Sequence, residues 1–286
     1  MITFAPLMIT KKVLGLLFLI VCTFTLNAQK LNSTFPLKGK FYAYWGWNSS
    51  VYSNSDIHLT GENYDFTLYD VTAQDRITPF TFNYFHPTKI TLPQTNFRIG
   101  YFLNDHYTIS IGVDHMKYVV NSYQTVRING EINAGTPFDG IYADDNIRLT
   151  HDFLQFEHTD GLNYVNVELK RFDEIGHFIG MNHKNFQLNI TEGIGAGVLY
   201  PRTNSTLFDQ ERWDEFTISG WGVSAGIGLN LTFFKHFFVQ SDVKFGYIKM
   251  PTIRTTANPL DNASQSFTFL ERTLVFGAKF NILKGK

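Results

Sequence analysis

From Phe41 onward, hydrophobic and polar residues alternate with a period of two in eight separate stretches. That period marks strands whose two faces meet different surroundings. Phe41, Ala43, Trp45 and Trp47 share one face, as do Phe97, Ile99, Tyr101 and Leu103, then Tyr107, Ile109, Ile111 and Val113, then Val165, Val167 and Leu169. The second half is more regular. Phe186, Leu188, Ile190, Ile194, Ala196 and Val198 form the fifth stretch, and Trp221, Val223, Ala225, Ile227, Leu229 and Leu231 the sixth. Phe237, Val239, Val243, Phe245 and Tyr247 form the seventh, and Leu270, Leu274, Phe276, Ala278, Phe280 and Ile282 the eighth. Glu192 falls on the apolar side of the fifth stretch, which predicts a bulge or a rim position. Arg272 interrupts the eighth.

The connections alternate as well. Tight turns at Asn104-Asp105-His106 and Lys235-His236, and a moderate link over 173–184, contrast with long links over 49–93, 119–161, 201–217 and 251–267. Short turns at one end and long loops at the other, with an even strand number, describe an up-and-down barrel. A water-soluble barrel would point its apolar face inward. Here the polar face carries mostly Gly, Ser, Thr and Asn, and the apolar face carries bulky aromatics. The interior of eight strands is only wide enough for side chains, so the small polar face belongs inside and the aromatic face toward lipid. The expected fold is all-β, an eight-stranded antiparallel up-and-down transmembrane β-barrel with long extracellular loops. Trp45, Trp47, Tyr101, Tyr107, Phe186, Tyr200, Phe233 and Phe280 fall near strand ends, where aromatics form interfacial girdles.

The same parity sends Arg98, Lys170, Lys244 and Lys279 into the lumen, against Asp114, Glu168, Asp242 and Glu271. Unpaired charge is costly in a narrow interior, whereas paired and hydrogen-bonded charge is tolerated. Four against four predicts a lumen closed by an ion-pair network, without a diffusion channel.

Composition narrows the partners. Lys+Arg number 24 against 25 Asp+Glu, so no basic excess exists to bind a nucleic acid. Charged residues make up 17% and aromatics 16%, a low-charge, aromatic balance that suits lipid-facing strands. At the N-terminus, Lys11 and Lys12 precede an apolar run from Val13 to Thr25 and then Leu26-Asn27-Ala28. This reads as a cleavable signal peptide over 1–28, leaving 29–286 as one barrel domain. The run is too short for a spanning helix, which takes about 20 residues. Met8 opens a conventional basic region by itself. Cys22, the only cysteine, lies inside the apolar run behind Ile20-Val21, without the small residue that lipidation requires. The mature chain then has no thiol, no disulfide and no cysteine metal site. The expected route is Sec-type export to the bacterial outer membrane.

The pattern resembles the small eight-stranded outer-membrane barrels of Gram-negative bacteria, the OmpA-like and OmpX-like proteins, over about Gly39 to Leu283. The resemblance rests on topology and patterning. It implies two partners, outer-membrane lipid and the barrel-assembly machinery; such barrels usually end on an aromatic residue, whereas Phe280 here precedes six further residues. Related small barrels include lipid A acyl-modifying enzymes that use a His and a Ser with a carboxylate. Here Asp114 and His115 are adjacent, so on a strand they point to opposite faces. No His-x-Ser pattern occurs, and Ser219 and Ser224 have no His near them in sequence. No catalytic residue, cofactor or metal is assigned. The favoured function is non-enzymatic, serving envelope structure or binding an extracellular ligand on the long loops. An outer-leaflet lipid A modifying enzyme, a hydrolase or acyl transferase, is the alternative.

Two links stand out. The second carries Glu131, Asp139, Asp144, Asp145, Asp152, Glu157 and Asp160 without regular calcium-loop spacing, and reads as a solvated acidic loop. The first carries Tyr64, Phe66, Tyr69, Phe80, Phe82, Tyr84 and Phe85. It is expected to be partly ordered, with 64–68 extending a strand above the membrane and a binding surface on top.

Overall fold

The computed structural model describes residues 35–78, 81, 94–181 and 185–281. The expected signal peptide lies outside them, as do Phe80, Phe82, Tyr84, Phe85 and Ile282. Among the described residues the strands are β1 Phe41–Tyr52, β2 Ser55–Gly61, β3 Tyr64–Val71, β4 Ala73–Gln74, β5 Thr95–Phe102, β6 Tyr107–Val120, β7 Thr125–Ile132 and β8 Gly140–Arg148. They continue as β9 Leu154–Glu174, β10 Phe186–Leu199, β11 Arg202–Leu207, β12 Trp213–Phe216, β13 Gly220–Phe233, β14 Phe237–Arg254 and β15 Asn262–Phe280. A 3-10 turn, Gly176–Ile179, lies between β9 and β10. No helix among these residues is long and apolar enough to cross a membrane.

Eight of these strands, β1, β5, β6, β9, β10, β13, β14 and β15, pair antiparallel in chain order, and β15 closes on β1 from Phe41↔Phe280 to Tyr52↔Phe269. They are the eight stretches of alternation, and they form a closed up-and-down barrel. Closure leaves no strand edge in the ring, as a lipid-embedded sheet requires. Outward Ile99, Ile109, Ile111, Val167, Ile194, Ile227 and Phe245 are all exposed. An apolar belt of that extent is stable against lipid and not against water. Glu192 sits in unbroken ladders opposite Arg171 and Ile227, so the expected bulge is absent; its outward carboxylate faces a cross-strand cation instead.

Turn chemistry fixes the narrow end. Asn104 Oδ1 accepts from the backbone N–H of His106 and Tyr107, both at 2.8 Å. Phe234 and Lys235 both adopt positive φ, 51° and 69°, the geometry that lets a two-residue turn match strand twist.

The strands are longer than a membrane demands. Crossing takes about 9–11 residues, whereas β9 has 21, β15 has 19 and β14 has 18. The surplus rises into a head. Above its pairing with β1, β15 takes β2 as a neighbour, and β2, β3, β7 and β8 follow in order. On another side, β11 and β12 extend the upper part of β9. Among the described residues the four long links are therefore largely paired strands, 64–68 as expected among them, and the acidic second link is in good part the β7–β8 hairpin. The reason is a shared core: Ile57, Leu59, Phe66, Leu68, Tyr118, Ile128, Phe153, Phe156, Ile248, Met250 and Phe267 are all buried in one cluster. One free edge, β8, is blunted by a register shift opposite Ile128/Asn129 and by Asp144 at φ 64°, devices that discourage strand addition.

Candidate functional site

Inside the barrel the inward positions build an ion cluster. Lys244 Nζ lies 2.5 Å from Asp114 Oδ2 and 3.5 Å from Glu271 Oε2. Lys170 Nζ lies 3.0 Å from Asp242 Oδ1 and 3.3 Å from Glu168 Oε1. Arg98 is 3.7 Å from Asp114 and donates to Tyr44 Oη at 3.0 Å, Ser110 Oγ at 3.2 Å and Asn166 Oδ1 at 2.7 Å. Every one of these charged side chains is buried. Such burial holds only where remaining lone pairs and protons find partners. Asn96 Nδ2 donates to both Asp114 and Glu271, at 2.7 and 2.9 Å, and Gln240 Nε2 donates to Asp242 at 2.7 Å.

Lys279 departs from the expected set. It is buried, but it sits at the narrow end, paired in register with Tyr42, while Glu271 is paired with Ser50. Eight residues along a strand is about 26 Å. Its Nζ donates to Thr232 Oγ1 at 2.8 Å and lies 5.5–5.7 Å from the ring centres of Phe102, Phe172 and Phe238. It is a cation–π plug rather than a member of the ion network. The cluster therefore sets three cations against four carboxylates, and the amide donors of Asn96, Asn166 and Gln240 take up lone pairs that the cations leave.

Other inward side chains pack above and below the ion cluster. At the narrow end Leu37, Tyr42, Tyr44, Phe102, Phe172, Phe238 and Val275 form an apolar layer. Gly100 and Gly277 make room for it: a Cβ at either would stand 2.3 Å from the Tyr42 or Phe238 ring. The segment before β1 is tied beneath, with Leu37 N and Lys38 N donating to Asp105 Oδ1 at 2.6 and 2.9 Å. Between that layer and the ion cluster runs a column of carboxamides, Gln187, Asn189, Asn230 and Gln240, linked at 2.7, 3.4 and 2.9 Å. At the wide end β4 pairs with β6, and Asp75 Oδ2 accepts from Ser50 N at 2.8 Å. Burial, more than any neighbour, pushes the Asp75 carboxyl pKa up. Above this the head core begins.

On the outer face, Tyr101, Tyr107, Phe186, Phe233 and Phe280 gather at the narrow end beside Phe41, Phe234 and Phe237. Phe41 is 4.8 Å from Tyr101, and Phe186 is 5.6 Å from Phe233. Trp45 and Trp47 stand higher on β1, edge to face at 5.2 Å. Tyr200 stacks on Phe216 at 5.4 Å at the wide end. Arg272 projects outward eight residues above Phe280, where the outer face of β15 changes from apolar Leu270 to Thr268 and Ser266.

Asp114, His115 and Ser219 each meet different partners. Asp114 is committed to Lys244 inside, while His115 Nδ1 pairs with Asn163 Oδ1 at 2.7 Å. His115 Nε2 has no hydrogen-bond partner. Ser219 Oγ bonds to Thr217. His158, which sequence reasoning passed over as part of the acidic link, is the most buried imidazole among the described residues. Its Nδ1 pairs with Thr203 Oγ1 at 3.0 Å and its Nε2 with Gln265 Nε2 at 3.2 Å, deep in the head. Its inward parity, with Phe156 and between the outward Glu157 and Thr159, was the available signal. The acidic residues of the second link do not converge either: Asp139 caps the turn at 134–136, Asp144 pairs with Arg127, Glu157 with Arg76 and Asp160 with Arg202. Among the described residues no group of three or more His, Cys, Asp or Glu is placed to hold a metal ion.

No family model matches this chain, and no curated protein does. Solved structures similar to it include the outer membrane protein OprG from Pseudomonas aeruginosa, at 10% identity over 87% of this chain and 100% of that one, TM-score 0.40. The attachment invasion locus protein Ail of Yersinia pestis is similar at 11% identity, over 85% and 99%, TM-score 0.31. Neisserial surface protein A is similar at 10%, over 82% and 98%, TM-score 0.30. At identities this low the likeness is one of fold, and what this chain does has to come from its own residues.

Proposed function

We propose that this chain is an integral protein of the bacterial outer membrane that conducts no solute, catalyses no reaction and displays a folded β head for binding outside the cell. The carrying observation is the sequence of obstructions along the lumen: an aromatic layer, a carboxamide column, an ion cluster, then a head core. Buried side chains at each of these levels support a closed interior, and a barrel filled this way suits a pedestal rather than a pore. Export by the Sec route, removal of residues 1–28 and insertion by the barrel-assembly machinery belong to the same proposal. So does contact of the outer face with membrane lipid. The non-catalytic reading rests on His115, whose second nitrogen meets no hydroxyl.

Three measurements test this. Reconstituted protein in planar bilayers is expected to leave conductance at baseline, and large, stable channels would overturn the closed lumen. Lipid A from cells with and without the protein is expected to give the same mass spectrum; a new acylation state would install the enzyme reading instead. Heat-dependent gel mobility of the folded protein checks the barrel itself.

A further inference from the structure

Residues 35–38 cross the narrow mouth of the barrel. In the ring β10 stands opposite β1, with β5, β6 and β9 between them on one side and β13, β14 and β15 on the other. Phe35 already reaches that far wall: its N–H donates to Gln187 Oε1 at 3.1 Å, and its ring lies 5.7 Å from Lys235 Nζ on the β13–β14 turn. Midway, the N–H groups of Leu37 and Lys38 both donate to Asp105 Oδ1 on the β5–β6 turn. At the near end Gly39 N donates to Phe102 O at 2.9 Å. Four residues of extended chain span about 13 Å, enough to cross an interior that holds only side chains.

The segment is shaped for this position. Phe35 and Leu37 are buried and alternate with the exposed Pro36 and Lys38. Proline fixes its own φ and biases the residue before it toward extended backbone, so little freedom is lost when the segment seats. Gly39 turns the chain into β1 at φ 83°, with open space where a Cβ would stand, so glycine is required there for conformation and not for room. Behind Phe35 lies Gln187, whose cross-strand partner Thr232 accepts from Lys279. Gln187, Thr232 and Lys279 are all buried. The Lys279 ammonium rests there on a hydroxyl and three rings, contacts that entering water would replace. The hold on the segment is concentrated in one side chain, because two neighbouring N–H groups share the half-buried Asp105 carboxylate.

We propose that residues 35–38 are a latched strap over the narrow mouth, with Gly39 as its hinge and the Asp105 carboxylate as its latch, and that releasing the latch admits water to Thr232 and Lys279. This deepens the closed lumen proposed above and rests on it. Thiol labelling of the folded, full-length protein in detergent tests it. Cys22→Ser removes the only cysteine, and Thr232→Cys then places a single thiol behind the strap. A small, charged methanethiosulfonate is expected to label that thiol slowly. Asp105→Ala removes the acceptor of two charge-assisted hydrogen bonds and should speed labelling at least about tenfold; Asp105→Asn, whose amide oxygen still accepts, should speed it less. Gly39→Val, driven out of the positive φ range, should act in the same direction by about fivefold. Heat-dependent mobility is expected to persist in each variant, which separates an open strap from an unfolded barrel. Hydrogen exchange without the introduced thiol gives a second readout: the Leu37 and Lys38 amides should exchange faster in Asp105→Ala, and the ladder amides of β6 should not. Equal labelling with and without the latch would overturn the strap, since both fast would mean an open mouth and both slow that the aromatic layer alone excludes water. Large channels from the latched protein in planar bilayers would instead sink the closed lumen on which it rests.

Discussion

The lower and upper halves of β14 and β15 belong to the same strands and obey opposite rules. Below, β15 turns Lys279, Thr273 and Glu271 inward and Phe280, Phe276 and Leu274 outward. Above Leu270 the inward residues are mainly apolar, Phe269, Phe267 and Ala263 with Gln265 bonded to His158, and the outward ones are Thr268, Ser266 and Ser264. On β14 the same change runs from inward Asp242 and Lys244 to inward Ile248 and Met250, with Lys249 outward. The pleat does not slip at the change; only the chemistry of each face is exchanged. Apolar side chains go wherever water is not: outside in the lipid belt, inside in the head. The exchange therefore locates the outer membrane surface on the chain itself, near Arg272 and Leu270.

The two halves should fail differently. The largest effect is expected from Lys244→Met, which leaves Asp114 and Glu271 facing each other without their cation. Removing one partner of a buried pair typically costs about 3–5 kcal/mol. Urea-driven unfolding from lipid vesicles, followed by gel mobility, should shift by that order, and head and barrel should unfold together because the head stands on barrel strands. An unshifted transition would mean that the cluster contributes little.

Phe153→Ala should cost about 3–4 kcal/mol, the usual toll of emptying a buried aromatic site. Phe153 is fully buried between Phe66, Phe138 and Phe208 in the head. Its effect should stop at the membrane surface. Limited proteolysis should cut the head of the variant while the barrel keeps its heat-dependent mobility. If the barrel is lost in the same step, the two regions are one cooperative unit.

This contrast also explains what was readable in the chain. The barrel was legible because aromatic-outward alternation, export features and short turns all agreed on one architecture. The head strands carry alternation of equal quality, Ile57 and Leu59 against Asp56 and His58, or Tyr64, Phe66 and Leu68 against Asp65 and Thr67. Only 64–68 was read among them, as a strand extension above the membrane; the others were passed over because an apolar face in water looks like a short loop element until its partners are known, and these partners are far away in sequence: β3 pairs with β7 and β2 with β15. Parity alone assigned all eight charged residues to the inside, yet parity carries no height. Lys279 was separable from the ion cluster only through register, which the sequence does not display.

Acid should divide the regions too. Burial holds the His158 imidazole down to about 3, whereas an unfolded histidine titrates near about 6.5. Below that value the unfolded chain takes up a proton that the folded head refuses. Stability present above pH ~6.5 is thus lost as pH falls toward 3, by about 2 kcal/mol at pH 5. Head proteolysis should accelerate between pH 7 and 5 in the wild type and much less in His158→Gln, whose amide can still meet Thr203 and Gln265. Equal acceleration in both would assign the acid sensitivity to other groups.

The smallest effect is expected where charge meets water. Arg202 bridges Asp160 at 3.0 Å and Asp214 at 2.9 Å and lies over the Phe216 ring at 5.8 Å, on the outer surface of the head. By geometry this is as well made as the contacts of Lys170 in the lumen. Its guanidinium is more than a third exposed, however, and solvent and salt screen most of the attraction. Arg202→Ala should therefore cost no more than about 1 kcal/mol, a fraction of the Lys244 effect, and the loss should fade further in concentrated salt. Measuring both variants by the same unfolding assay at low and high salt isolates burial as the variable. A salt-insensitive Arg202 effect as large as that of Lys244 would mean that the head surface is not a solvated one, and that another molecule or membrane leaflet covers it.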